Sequence, residues 1–208
     1  MSEPGSGDEH DRTPAPTRDV LAQVANPFRW RTYETLRVFG QMKPAALAGR
    51  VHVSEATMLQ HLRVLEGIGF VESDDGLDVP FRRRSWRAVP GGIRLGDLSG
   101  DEDYVKEAIA WLKVAILTQA QVLGDWVEVS PGWPVEWRRS VEQWDHVMRA
   151  LDESQLRELG EDLHAVTEKW RKVSIEQEGQ ARPADRAVYV VTHAVPYPQP
   201  WPKDPARS

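Results

Sequence analysis

Two groups of polar residues in the first half of the chain have the types and spacing to hold nucleic acid. Gln60 and Arg63 stand one helical turn apart in EATMLQHLRVLE, and Arg82, Arg83 and Arg84 follow in FRRRSW. An amide and a guanidinium on one helix face can reach base edges in a major groove. Clustered guanidinium groups contact phosphates or a minor groove. At roughly 100° per residue, Met58, Leu62 and Leu65 share one face of this helix, and Ala56, Gln60 and Arg63 lie opposite. Thr57 and Leu59 flank them. His61 falls at the edge of the apolar face, where it can touch a phosphate or serve as a half-buried packing residue.

The elements that must position these groups are legible from their punctuation. Ala46-Leu47-Ala48 reads as part of a short helix opened by Pro44, and Val51-His52-Val53 as a turn with two apolar plugs. Ser54 is an N-cap for a helix over Glu55 to Glu66, with Gly67 as its terminator. An earlier helix runs from Pro27 to Phe39, with Asn26 as cap and Gly40 at its end. Phe70-Val71 begins a hairpin with Asp74-Asp75-Gly76 in or near its turn. Its return strand carries the arginine triplet, and Trp86 packs it onto the helices. Helix, tight turn, helix and hairpin in this order spell a helix-turn-helix with a wing.

After a Gly-rich break at Gly91 to Gly100, a long helix is expected from Asp101 to Leu123. It has two apolar stripes. One is Val105, Ile109, Leu112, Ile116, Ala120 and Leu123; the other is Tyr104, Ala108, Trp111, Ala115 and Val122. A helix apolar on two sides is buried on two sides, so a second copy of the chain is the expected second wall. Gly124 and Pro131 to Pro134 mark a loop. A strand is expected over 140–151, then a helix capped by Asp152 with Gln155 completing a capping box. Its seam is Leu156, Leu159, Leu163, Val166, Trp170 and Val173, spaced like a heptad. A last strand is expected over 186–195. The fold class is therefore mainly α with α+β character. A tail over 1–17 precedes a DNA-binding domain over 18–98, a dimerisation and possible ligand-binding region over 99–195, and a Pro-rich tail over 196–208.

Composition narrows the function classes. The 208 residues carry a net charge of −6, which alone argues against DNA. Its distribution reverses that argument: residues 18–99 hold twelve Lys and Arg against nine Asp and Glu, while residues 100–175 hold nine against fifteen. The basic excess sits with the helix-turn-helix, and an acidic second half confines phosphate contact to one face. No apolar run approaches a membrane span, and the first residues, rich in Pro, Gly, Ser and acids, read as a disordered tail rather than a signal peptide. Cysteine is absent, which removes disulfides, thiolate metal sites and a Cys nucleophile. A cytoplasmic location follows by default.

The motifs G-x-S-x-G, G-x-x-x-x-G-K, G-x-G-x-x-G and H-E-x-x-H are absent, so no catalytic residue and no cofactor is expected. Glu161, His164 and Glu168 share a helix face near Asp145-His146, but read as a solvated face with no complete metal-ligand set. Trp111, Trp126, Trp133, Trp137, Trp144 and Trp170 all follow the winged segment. They either fill a core and a dimer interface or line a pocket for an apolar or cationic small molecule, for which Trp111, Trp126, Trp144 and Trp170 are the candidates.

The run LAGRVHVSEATMLQHLRVLEGIGFVES resembles the winged helix-turn-helix of ArsR-type bacterial repressors. Leu47-Ala48, Ser54, Thr57, Met58, His61-Leu62, Leu65, Gly69, Phe70 and Val71 fit that pattern, and RRRSWRAV looks like the family's second wing strand. The block from Trp137 to Arg171 looks like the extra C-terminal region of a longer subgroup. The resemblance implies a homodimeric regulator of double-stranded DNA bound at an imperfect palindrome, usually a repressor released by a small-molecule ligand. Carried over by position, Ser54, Thr57, Gln60, His61 and Arg63 form the reading-helix contacts, and Arg82, Arg83 and Arg84 serve the wing. Ala56 and Leu59 depart from the family pattern, so the target sequence does not transfer. The alternative is a winged-helix adaptor that binds protein partners and no DNA.

Overall fold

The computed structural model describes residues 16–76, 78–93, 95, 98, 100–141, 147, 148, 150–178 and 186–195. It is mainly helical, with one small antiparallel sheet of two strands. The chain divides into two compact units, one ending at Gly132 and the other beginning at Trp133. Residues of the long helix share one buried core with residues between Leu21 and Trp86, whereas the sequence places a boundary at the Gly-rich break near 98.

In the first unit, α1 (Arg18–Val24) is capped by Thr17, whose Oγ1 accepts from Val20 N–H at 3.3 Å. The sequence reading contains no helix here, because two turns with only Leu21 and Val24 as buried residues carry too little periodicity. Helix α2 (Pro27–Phe39) follows; Asn26 Oδ1 accepts from the N–H groups of Phe28 and Arg29, as its type and position require. Helix α3 (Pro44–Val51) ends on His52 in the left-handed conformation, φ 59°. Helix α4 (Glu55–Gly67) starts on Ser54, which accepts from Thr57 N–H at 3.1 Å.

Gly67 is not the terminator of α4. It is the last helical residue, and the left-handed position is Gly69, φ 77°. Gly69 N–H donates to Glu66 O and Phe70 N–H to Leu65 O, the bond pair of a Schellman cap. The cap turns the chain into β1 (Val71–Glu72), which pairs with β2 (Arg87–Ala88) in the register Val71 to Ala88 and Glu72 to Arg87. The return strand is thus much shorter than expected. Arg82 and Arg83 lie on a single 3-10 turn, Phe81–Arg83, opened by Pro80, and Arg84 is in extended backbone beyond it. Proline has no N–H for a ladder, and the turn that it opens ends the pairing. Trp86 is fully buried and exchanges both backbone hydrogen bonds with Met42, so it ties the hairpin to the helices as expected.

Helix α5 (Glu102–Val129) is capped by Asp101, whose Oδ1 accepts from Asp103 and Tyr104 N–H. It runs straight through Gly124, where the sequence suggests a stop; one interior glycine costs only about 1 kcal/mol, less than the helix hydrogen bonds it would forfeit. Ala108, Trp111 and Ala115 are buried in one core with Leu21, Val24 and Trp30. The small alanines let α1 lie close against α5.

The second unit contains α6 (Val135–Arg139) and α7 (Glu153–Glu178). Asp152 and Gln155 form the expected capping box, with Gln155 N–H on Asp152 Oδ1 at 2.9 Å and Asp152 N–H on Gln155 Oε1 at 3.0 Å. The last strand is not formed: residues 186–195 pair with no sheet, and Val188 and Val190 are exposed. The described residues of 140–151 are not strand either, and 142–146 and 149 lie outside the described residues. β-Branched composition reports fitness for a sheet, not the presence of a partner strand. Of the expected tail over 1–17, residues 1–15 lie outside the described residues, as does all of the tail over 196–208, whereas Thr17 belongs to the cap of α1.

Candidate nucleic-acid interface

Helix α4 buries Met58, Leu62 and Leu65 completely, which fixes its rotation and turns Ala56, Gln60 and Arg63 outward. Thr32 of α2 sits beneath, its hydroxyl donating to Phe28 O at 2.7 Å with Met58 Sδ at 3.8 Å. At the N-terminus of the helix the hydroxyls of Ser54 and Thr57 are 2.8 Å apart and satisfy each other. Ser54 is exposed, Thr57 half-buried. Gln60 is exposed and has no hydrogen-bond partner among the described residues.

Arg63 has a partner that the sequence reading omits. Its guanidinium carbon lies 4.8 Å from the centre of the Phe81 ring, and that of Arg84 lies 6.0 Å from the same ring. Both fall within the range of a cation–π contact. Phe81 in turn leans on buried Trp86, ring centres 4.7 Å apart. One aromatic ring therefore joins the outer face of α4 to the arginine-bearing turn and anchors both to the core. No periodicity or spacing signals such a contact; the one clue is an apolar residue directly before three arginines.

The turn is held from within. Asp75 accepts from Ser85 N–H, and Ser73 Oγ accepts from Asp75 N–H at 3.2 Å. Arg84 Nε donates to Val79 O at 2.9 Å. Arg87 is neutralised by a two-pronged contact to Asp74 at 3.1 Å and by Glu72 at 2.9 Å, which holds its guanidinium above the ordinary arginine pKa, through the Asp74 hydrogen bond first. Arg82 and Arg83 are exposed and, among the described residues, make no hydrogen bond or ion pair. Asp78, exposed on the same turn, is likewise unpaired among the described residues.

His61 lies on the core boundary. Its ring stacks parallel to Phe28, 6.3 Å between centres and 8° between planes. Nε2 is buried without a partner, so that nitrogen faces no phosphate. Burial, and secondarily the charge of Arg29, lowers the pKa of the ring below its usual 6.5. Both effects favour the neutral ring.

Of the four tryptophans considered for a pocket, three are described, and each has its own surroundings. Trp111 is a core residue, its ring meeting Trp30 edge-on at 5.4 Å. Trp126 is half-buried on the same helix, fifteen residues and so about 22 Å further along. Trp170, in the second unit, is 61% exposed beside Lys169. Trp144 lies outside the described residues, as do Asp145 and His146. Glu168 is held by Arg171 at 2.8 Å, which lowers its pKa. Among the described residues no three His, Asp or Glu converge as a metal site, and no helix is long and apolar enough to cross a membrane.

No protein-family model matches the chain, and no curated protein matches it.

Proposed function

We propose that the chain is a sequence-specific, double-stranded-DNA-binding transcriptional regulator of the winged helix-turn-helix type, with α3 and α4 as the helix pair and the β1–β2 hairpin as the wing. The observation that carries this reading is the convergence of Arg63 and Arg84 on Phe81, beside the unpaired Arg82 and Arg83 and on the helix that presents Gln60. It supports one continuous cationic surface with a protruding polar helix, the shape and charge that a duplex groove accepts. Its resemblance to ArsR-type repressors supports the same reading from the sequence side.

The regulator acts as a homodimer. One stripe of α5 is exposed at Ile109, Ile116 and Leu123, while the other is buried at Ala108, Trp111 and Ala115, which suits a helix with a second copy on its open side. The operator is then an imperfect palindrome with half-sites about one turn, roughly 34 Å, apart. Repression relieved by a small-molecule effector rests on the resemblance alone.

The test is fluorescence anisotropy of labelled duplex DNA titrated with the full chain at several salt concentrations. Affinity that falls steeply and linearly on logarithmic axes is expected. Absence of salt-sensitive binding turns the reading toward the protein-binding adaptor.

A further inference from the structure

Arg63 is the sole Lys or Arg of α4, and its position on the outward face makes it the natural reader of guanine, whose two acceptors match a guanidinium fork. The structure places it elsewhere. Its guanidinium is drawn over Phe81, on the turn that carries Arg82 and Arg83 and just before Arg84. With that cation turned to the wing, the face that α4 offers to a groove is the exposed methyl of Ala56, the half-buried side chain of Leu59 and the amide of Gln60, which has no hydrogen-bond partner among the described residues, beside the hydroxyls of Ser54 and Thr57, which bond each other.

We infer that Arg63 serves the DNA backbone together with the wing arginines, held there by Phe81, and that α4 itself reads A·T pairs. The inference rests on the DNA-binding reading above. Its chemistry follows from groove edges. An amide pairs with adenine through N6 and N7, and apolar side chains meet the C5-methyl group of thymine. Guanine is matched best by a fork of two parallel donors, and with Arg63 withdrawn this face keeps the single amide nitrogen of Gln60 instead. Phe81 is a positioning residue: it touches no base, but decides which part of the duplex Arg63 can reach.

The experiment is selection of bound duplexes from a randomised pool, with the full chain in four forms: wild type, Gln60→Ala, Arg63→Ala and Phe81→Leu. Leucine keeps an apolar plug against Trp86 but has no π face. Wild type is expected to enrich A·T pairs in each half-site, and Gln60→Ala to lose one of them. Arg63→Ala should enrich the same sequence as wild type, bind every selected duplex more weakly by a common factor, and reduce the salt slope by about one. Phe81→Leu frees Arg63 and should admit guanine beside the Gln60-dependent pair. A wild-type motif with a guanine that disappears in Arg63→Ala overturns this assignment while leaving DNA binding intact. An unchanged motif in Phe81→Leu, with the fold intact by circular dichroism, removes the ring from the role given to it. A pool with no enrichment and no salt-sensitive binding overturns the DNA-binding reading and this inference with it.

Discussion

Five arginines lie between Arg63 and Arg87 in the proposed wing and reading helix, and their partners sort them. Arg87 is matched by two carboxylates and brings no net charge to a phosphate. Arg83 has no partner among the described residues. Arg83→Ala should therefore weaken binding to all duplexes about equally, whereas Gln60→Ala should cost about 1–3 kcal/mol at particular base pairs and little elsewhere. Competition binding with selected and scrambled duplexes separates the two. His61 yields a prediction about stability. Its folded pKa lies below 6.5, so the unfolded chain binds the proton more readily. The stabilisation is full above that pH and lost as the pH falls through the folded value. His61→Phe should keep the stack on Phe28 and flatten this loss, seen as urea midpoints that change less between about pH 7.5 and about pH 5.5 than those of wild type. The lowered carboxylates of Asp152 and Glu168 act well below that window.

Among the elements, the two glycines at the end of α4 make opposite predictions from similar surroundings. Neither would bring a Cβ within 4 Å of another atom, but Gly69 has φ 77° and Gly67 is helical. Gly69→Ala should destabilise by about 1 kcal/mol through the left-handed backbone alone. Gly67→Ala should be neutral or stabilise, by at most about 1 kcal/mol. Urea midpoints at constant slope measure both. This pair also marks what the sequence can tell. Caps are local chemistry, so Asn26, Ser54 and the Asp152–Gln155 box are readable from residue type. Met58, Leu62 and Leu65 are readable from period. Gly67 against Gly69 is not, because either fits the pattern and the choice depends on where Phe70 must pack. The arginine triplet was readable as a cationic cluster, but not as a turn, since the pairing of β1 with β2 is settled by Trp86 reaching Met42 across the fold. The contact of Arg63 with Phe81 joins residues far apart in sequence and leaves no local trace. Residues 186–195 look like a strand by composition and find no partner, a property of the whole chain and not of the segment.

At the level of the whole molecule, α5 sets the question of assembly. Its buried side already serves the first unit, through Ala108, Trp111 and Ala115. On its open side Ile109, Ile116, Leu123 and Val127 are between 44% and 61% exposed. Full burial of such a side chain gains about 1.5–3 kcal/mol, and roughly half of that remains available for each. Across a symmetric pair of helices the gross gain is on the order of 6–12 kcal/mol, comparable to the cost of about 4–15 kcal/mol for immobilising one partner on another. A dimer built on these contacts is thus sensitive to a single buried charge. Ile116→Asp should convert the chain to monomer, read as molar mass by light scattering across a concentration series. Its first unit should remain folded, since Ile116 is 52% exposed and lies outside the core cluster. Binding to a palindromic duplex should fall far more than binding to an isolated half-site, because linking two reading helices raises the effective concentration of the second once the first has docked. An Ile116→Asp protein that keeps both its mass and its preference for the palindrome would place the dimer contact on another surface and leave the open side of α5 without the role proposed for it.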